Sequence, residues 1–199
     1  MPILLTFIFF ILIRLFQYKI LSSTTRINPL AMTYIDKSEL FKQIESKLTD
    51  LGFTIEDVDQ TRPWGGFFVI SEDQAQGFAD QFFEGLNVQD LRISGKLSPK
   101  ILIVSPSKRL SWQYHHRRAE IWRVIQGEVG VVTSPNDEEH ELKILKEGDS
   151  IRLAQGERHR LVGLATYGVV AEIWQHTDST HPSDEDDIVR VQDDFGRSI

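Results

Sequence analysis

Across residues 36–51 the apolar side chains Leu40, Phe41, Ile44, Leu48 and Leu51 recur at the spacing that lines one face of a helix. Asp36 with Glu39 three residues later has the form of an N-terminal capping pair, and Gly52 supplies a stop. The pattern breaks at Phe53. Arg62-Pro63-Trp64-Gly65-Gly66 is turn-like, and Phe67-Phe68-Val69-Ile70 is a short strand candidate. Residues 72–83 return to helical spacing with Phe78, Phe82 and Phe83 to one side, while 86–99 fit neither period. From Ile101 the chain reads as short strands over 101–104, 110–114, 121–125, 128–133, 141–145, 150–153, 159–162 and 169–174. Turn formers separate most of them: Ser105-Pro106, Gly127, Ser134-Pro135-Asn136-Asp137, Glu147-Gly148-Asp149 and Gln155-Gly156. Strands at this spacing predict an antiparallel sandwich or barrel. The tail over 177–187 is polar and acidic.

The pattern divides the chain into an apolar leader and linker (1–31), an N-terminal helix region (32–61), and a barrel (62–199) with a helical insertion near 72–98 and a C-terminal tail. The leader is apolar from Pro2 to Ile13 and onward to Phe16. It is shorter than the ~20 residues of a spanning helix. It carries no positive charge ahead of its apolar core, and no small-residue cleavage pattern follows it. Three readings stay open: a membrane anchor through residues 2–16, an atypical signal, or a start codon upstream of the real one. Met32-Thr33-Tyr34-Ile35-Asp36 reads as an ordinary protein start, which places the protein in the cytoplasm.

Charge and composition narrow the chemistry. The net charge of -7 argues against non-specific nucleic-acid binding, which needs a basic face. With no cysteine among 199 residues, any metal must be held by His, carboxylate or amide groups. The informative stretch is Gln113-Tyr114-His115-His116-Arg117-Arg118-Ala119-Glu120-Ile121-Trp122, closed by Gly127. Residues two apart on a strand share a face, so Gln113 and His115 can point into one interior, with Glu120 opening the next strand. A second stretch runs from Gly148 through a strand to Gly156 and His159.

These two stretches resemble the paired signature of the cupin superfamily. They share its ligand pair two apart, its Glu a few residues on, its Gly seven beyond that Glu, and its later Gly followed three residues on by His. Gln113 stands where that superfamily usually has His, and Ala154 where it usually has Pro. Gln at this place makes the chain similar to the cupin domain of type II mannose-6-phosphate isomerases. So do Arg62-Pro63-Trp64-Gly65, Leu110-Ser111, Arg118-Ala119-Glu120 with Trp122, and Gly156 with His159-Arg160-Leu161. Glu185-Asp186-Asp187-Ile188-Val189-Arg190 with Phe195-Gly196-Arg197 complete the match, the last being its most specific part.

The resemblance implies an all-β, cupin-type double-stranded β-helix with N-terminal helical additions. It implies a divalent metal, most often zinc, held by Gln113, His115, Glu120 and His159. It further implies a metal-dependent aldose–ketose isomerase acting on a sugar phosphate, mannose 6-phosphate or a relative, with Lys100 and Arg190 touching substrate and a homodimer as the assembly. Two imidazoles, a carboxylate and an amide oxygen also suit Mn²⁺, Fe²⁺, Co²⁺ or Ni²⁺. A non-catalytic sugar-binding cupin and a dioxygenase are the competing functions, because one barrel hosts many activities. Those isomerases are often fused to a nucleotidyltransferase domain, whose glycine-rich loop is absent here. Plainer readings stand beside each residue. His116 faces away from His115, Arg117 and Arg118 read as a solvated turn, and Lys100 reads equally as a solvent-facing lysine. Arg190 can pair with Asp186 and Asp187, and Trp64 and Trp122 are core residues. The general base is not identified.

Overall fold

The computed structural model describes residues 35–92 and 96–197. The apolar leader, the linker and the Met32 start therefore lie outside the described residues. No helix among the described residues is long and apolar enough to cross a membrane.

Helix α1 (Lys37–Asp50) starts at Asp36, whose carboxylate accepts the Ser38 backbone N–H at 3.1 Å. It buries Leu40, Phe41, Ile44 and Leu48, each worth about 1.5–3 kcal/mol. Leu51, the fifth residue of the expected stripe, is 41% exposed because the helix has ended. Phe41 packs on Phe68 with ring centroids 5.3 Å apart, which ties α1 to the strand that follows.

That strand, β2 (Gly65–Ile70), pairs with β1 (Ile55–Asp59). The hydrophobic pattern does not announce β1. It is an edge strand of mostly polar residues, with too little to bury to leave a period. The helix expected over 72–83 opens as a 3₁₀ turn (Glu72–Gln74) and is α-helical only over α2 (Ala75–Phe82). There Phe78 and Phe82 pack against Phe53.

The remaining strands are β3 (Lys100–Val104), β4 (Trp112–His115), β5 (Arg118–Gln126), β6 (Glu128–Ser134), β7 (Lys143–Lys146), β8 (Ser150–Leu153), β9 (Arg158–Gly163), β10 (Gly168–His176) and β11 (Ile188–Gln192). One sheet has the order β1-β2-β3-β10-β5-β8 and the other β11-β4-β9-β6-β7. Apart from the β6–β7 hairpin, consecutive strands from β3 onward alternate between the sheets, the double-stranded β-helix of the cupins. The tail does more than the sequence pattern foretells: β11 adds a strand beside β4. Part of the barrel is filled with Leu102, Val104, Val124, Val129, Val131, Leu153, Leu161 and Val170. A polar chamber adjoins this core.

Candidate metal centre

Strand register delivers the chamber's side chains. Residues directly opposite in an antiparallel pair face the same side. Gln113 on β4 lies opposite His159 on β9 and Arg190 on β11, so one row carries an amide, an imidazole and a guanidinium inward. In the facing sheet Glu172 lies between Lys100 and Trp122, and Trp174 lies opposite Glu120. The turn into β9 is made by Gly156, whose φ of +76° is the left-handed value that favours glycine. Its N–H donates to the His115 carbonyl at 3.0 Å, which fixes the second ligand stretch against the first.

His115, Glu120 and His159 are each 2% exposed, and their ligand-type atoms lie within 4.8 Å of one another. His115 Nε2 is 3.1 Å from Glu120 Oε1, and His159 Nε2 is 3.5 Å from Glu120 Oε2. Two ligand atoms about 2.0–2.1 Å from one tetrahedral ion sit about 3.3 Å apart, so these separations suit a shared cation. His115 Nδ1 faces the Asp187 carbonyl at 3.3 Å and His159 Nδ1 the Glu157 carbonyl at 3.0 Å. Those acceptors place the ring hydrogen on Nδ1 and leave the Nε2 lone pairs for a metal. Glu120 Oε2 and His159 Nε2 are buried with no hydrogen-bond partner. Orphans of this kind carry a desolvation penalty that a cation would relieve. Gln113 is buried beside them, and its Oε1 accepts from Ser111 Oγ at 2.6 Å, with a second lone pair to spare. The donor set therefore fits a divalent metal.

The electrostatics agree. Burial depresses His159 to about 4, leaving it neutral and ligand-ready near pH 7. Burial would raise the Glu120 carboxyl, but the neighbouring His115 and Arg118 outweigh it and hold Glu120 well below the ordinary carboxylate range.

Arg118 corrects the sequence reading. It is not part of a solvated turn but 2% exposed, at the start of β5. Its Nε donates to Glu120 Oε1 at 2.8 Å, and its Nη2 lies 3.2 Å from His115 Nε2. Its Nη1 donates to Ser183 Oγ and the Asp184 carbonyl, and its guanidinium rests 3.6 Å from the Trp174 ring centroid. The acidic tail is likewise part of the site. The Asp187 carboxylate accepts the backbone N–H groups of His116 and Arg117 and the Ser183 hydroxyl. That clamps the turn between β4 and β5.

Lys100 is buried rather than solvent-facing, and its Nζ pairs with Glu185 at 2.5 Å. Arg190 lines the same chamber, makes no ion pair with Asp186 or Asp187, and its buried Nε has no hydrogen-bond partner among the described residues. Trp64 and Trp122 are buried as expected and also line the chamber. Glu172 was not foreseen. It is 5% exposed, accepts from Trp122 Nε1 at 2.9 Å, and is pushed up to about 8 by burial and by the charge of Glu120. A lone carboxyl in the otherwise apolar run Val169-Val170-Ala171-Glu172-Ile173-Trp174 was the available signal.

Comparison with known proteins places this site in a family. Alginate biosynthesis protein AlgA of Pseudomonas fluorescens is 28% identical over 165 residues, which cover 82% of this chain and 28% of that protein. Mannose-1-phosphate guanylyltransferase ManC of Salmonella typhimurium is 35% identical over 98 residues, covering 49% of this chain and 19% of that protein. The chain thus spans less than a third of these relatives. Among solved structures, KdgF from Halomonas sp. aligns with a TM-score of 0.45 at 15% identity, covering 66% of this chain and 90% of that one. Residues 86–193 match the family described as mannose-6-phosphate isomerase C-terminal. That match takes in more than half of the 199 residues, including every side chain of the candidate centre, and the chain therefore belongs to this cupin family.

Proposed function

We propose that the chain is a metal-dependent aldose–ketose isomerase for a sugar phosphate, interconverting mannose 6-phosphate and fructose 6-phosphate or a close pair, in the cytoplasm. The observation that carries this is one buried chamber that joins a metal-type donor set to Arg190, whose buried Nε has no hydrogen-bond partner among the described residues, and to Lys100, whose Nζ is paired with Glu185. Gln113, His115, Glu120 and His159 would hold the ion, with zinc as the first choice for two imidazoles and a carboxylate. A bound dication would supply electrostatic stabilisation of the negative charge that develops on two adjacent sugar oxygens.

The other roles fall to the chain's own residues. Isomerisation needs a group that carries a proton between neighbouring carbons. Glu172, buried in the chamber and titrating at about 8, is our candidate for that carrier. Arg190 and Lys100 would take the phosphate, which needs cationic donors for its dianion. Burial and the nearby charge of Arg197 depress the Arg190 guanidinium, with Asp193 and Glu185 opposing the shift, and a bound phosphate would oppose it further.

The test is turnover of mannose 6-phosphate by purified protein, before and after chelation of metal. His115→Ala should lose bound metal and turnover together. Undiminished turnover by metal-free protein would remove the proposal.

A further inference from the structure

Lys100 is fixed and enclosed. It lies opposite Val69 of β2 on one side and Glu172 of β10 on the other. Its side chain is 9% exposed, and Nζ rests 3.8 Å from the Trp174 ring centroid and 5.6 Å from that of Phe67. Among the described residues its one ion pair is with Glu185, at 2.5 Å, and the Glu185 side chain is 60% exposed. Both residues line an inner chamber of about 70 Å³ and an outer cleft of about 500 Å³, so the pair sits on the boundary between the two spaces. At ~12 Å³ for each water position, the inner chamber has room for about six small groups, well short of a hexose phosphate.

The two partners differ in what holds them. Glu185 opens a short 3₁₀ turn (Glu185–Asp187) whose backbone is tied at both ends. Ahead of it the Asp184 carbonyl accepts from Arg118 Nη1 at 3.0 Å, and the Asp184 carboxylate accepts the Asp186 N–H at 3.1 Å. Behind it the Asp187 carboxylate accepts the N–H groups of His116 and Arg117 and the Ser183 hydroxyl. The Glu185 side chain itself is bonded, among the described residues, to Lys100 alone. It can therefore leave by side-chain rotation on a fixed turn, into water that solvates its charge. Lys100 cannot follow. With Glu185 gone its ammonium stays enclosed and unpaired, which is costly for a buried charge. An entering anion removes that cost and a neutral molecule does not. A phosphate dianion brings more charge than the carboxylate it replaces, and three strong acceptor oxygens.

We propose that Glu185 is an anion-displaced latch: its carboxylate holds Lys100 until the phosphate of the substrate takes its place, and the released side chain swings outward and joins the inner chamber to the outer cleft. The latch rests on the sugar-phosphate reading of the chamber and adds a positioning residue that makes entry depend on a phosphate.

The probes are inorganic phosphate and mannose 6-phosphate, titrated calorimetrically into the full chain. Glu185→Gln frees Lys100 and should tighten binding by about fivefold, the upper range for an ion pair with one solvated partner. Glu185→Asp keeps the charge but loses reach and should fall between. Asp186→Asn is the control for charge alone, because Asp186 is exposed and makes no ion pair among the described residues, and it should change affinity far less. In a Lys100→Met background the gain from Glu185→Gln should shrink to that of the control. Unchanged or weaker binding in Glu185→Gln, an equal gain in Asp186→Asn, a gain that survives Lys100→Met, or no binding of either probe each overturns the latch. Turnover of mannose 6-phosphate with affinity unmoved in Glu185→Gln would sink the latch alone. The fivefold gain without turnover would sink the isomerase reading alone.

Discussion

Replacing Arg118 by methionine should weaken the metal-free protein far more than the metal-loaded one. The guanidinium sits against the two atoms a metal would also use, Glu120 Oε1 at 2.8 Å and His115 Nε2 at 3.2 Å. Without metal, Arg118→Met leaves a 2%-exposed carboxylate without its cation, which costs about 3–5 kcal/mol. The contacts of Nη1 with Ser183 and Asp184 are lost in either state, at roughly 1–2 kcal/mol. With metal, the ion neutralises Glu120, and only this smaller loss should remain. The loss common to both states cancels, so the difference, about 3–5 kcal/mol, must reappear as tighter metal binding, because the coupling is reciprocal: roughly two to three and a half orders of magnitude in Kd. Urea unfolding with and without zinc, together with calorimetric zinc titration, measures all four corners of the cycle. Arg118→Lys keeps a charge but not the fork and should fall between. Weaker or unchanged zinc binding in Arg118→Met would refute the idea that guanidinium and metal compete for one pair of donors.

Glu172 sets a pH dependence on the metal-free fold. Its folded-state value is raised to about 8 from an ordinary 4.5. The unfolded chain therefore releases this proton first, and stability from this group is full below about pH 4.5 and is lost as pH rises toward 8. Glu172→Gln should flatten that fall, on the order of a few kcal/mol, in chemical denaturation at stepped pH. Lys100→Met should raise the KM for mannose 6-phosphate by about tenfold or more, since one charge-assisted contact with the phosphate is lost, as steady-state kinetics will read. Gly156→Ala forces a side chain onto a backbone at φ +76° with open space around it, so strain alone acts. The expected loss is about 1–2 kcal/mol in the urea midpoint analysis.

The barrel was legible because its strands leave a period-two trace and its turns carry glycine, proline and asparagine at the points of reversal. The same rule that put Gln113 and His115 on one face also puts Arg118 and Glu120 on one face, since they too are two apart on a strand. At Arg118 that signal is masked, because four consecutive basic residues, His115 to Arg118, look like a solvated turn. The structure shows the strand starting one residue earlier than Glu120's neighbour Ala119, at Arg118 itself. Local pattern could not supply the rest. Asp187 reaches His116 and Arg117 across about seventy positions of chain, and Glu185 reaches Lys100 across 85. Such contacts depend on where β11 docks, and β11 has little apolar periodicity because its residues are half-buried on both faces.

That division follows from which forces write themselves into a local sequence. Burial of alternate side chains is repeated at every second residue, so it can be read in a short window. Charge pairing in a closed chamber is decided by tertiary placement, where one carboxylate such as Glu120 must be compensated by whatever cation the fold brings near. The chamber brings Arg118 to Glu120, Lys100 to Glu185 and Asp187 to the β4–β5 turn. Each pair joins a barrel strand or turn to a side chain that decides how the ligand atoms are held. The residues that could bind a metal are therefore the readable ones, and those that tune how tightly they bind it emerge only once the strands are placed.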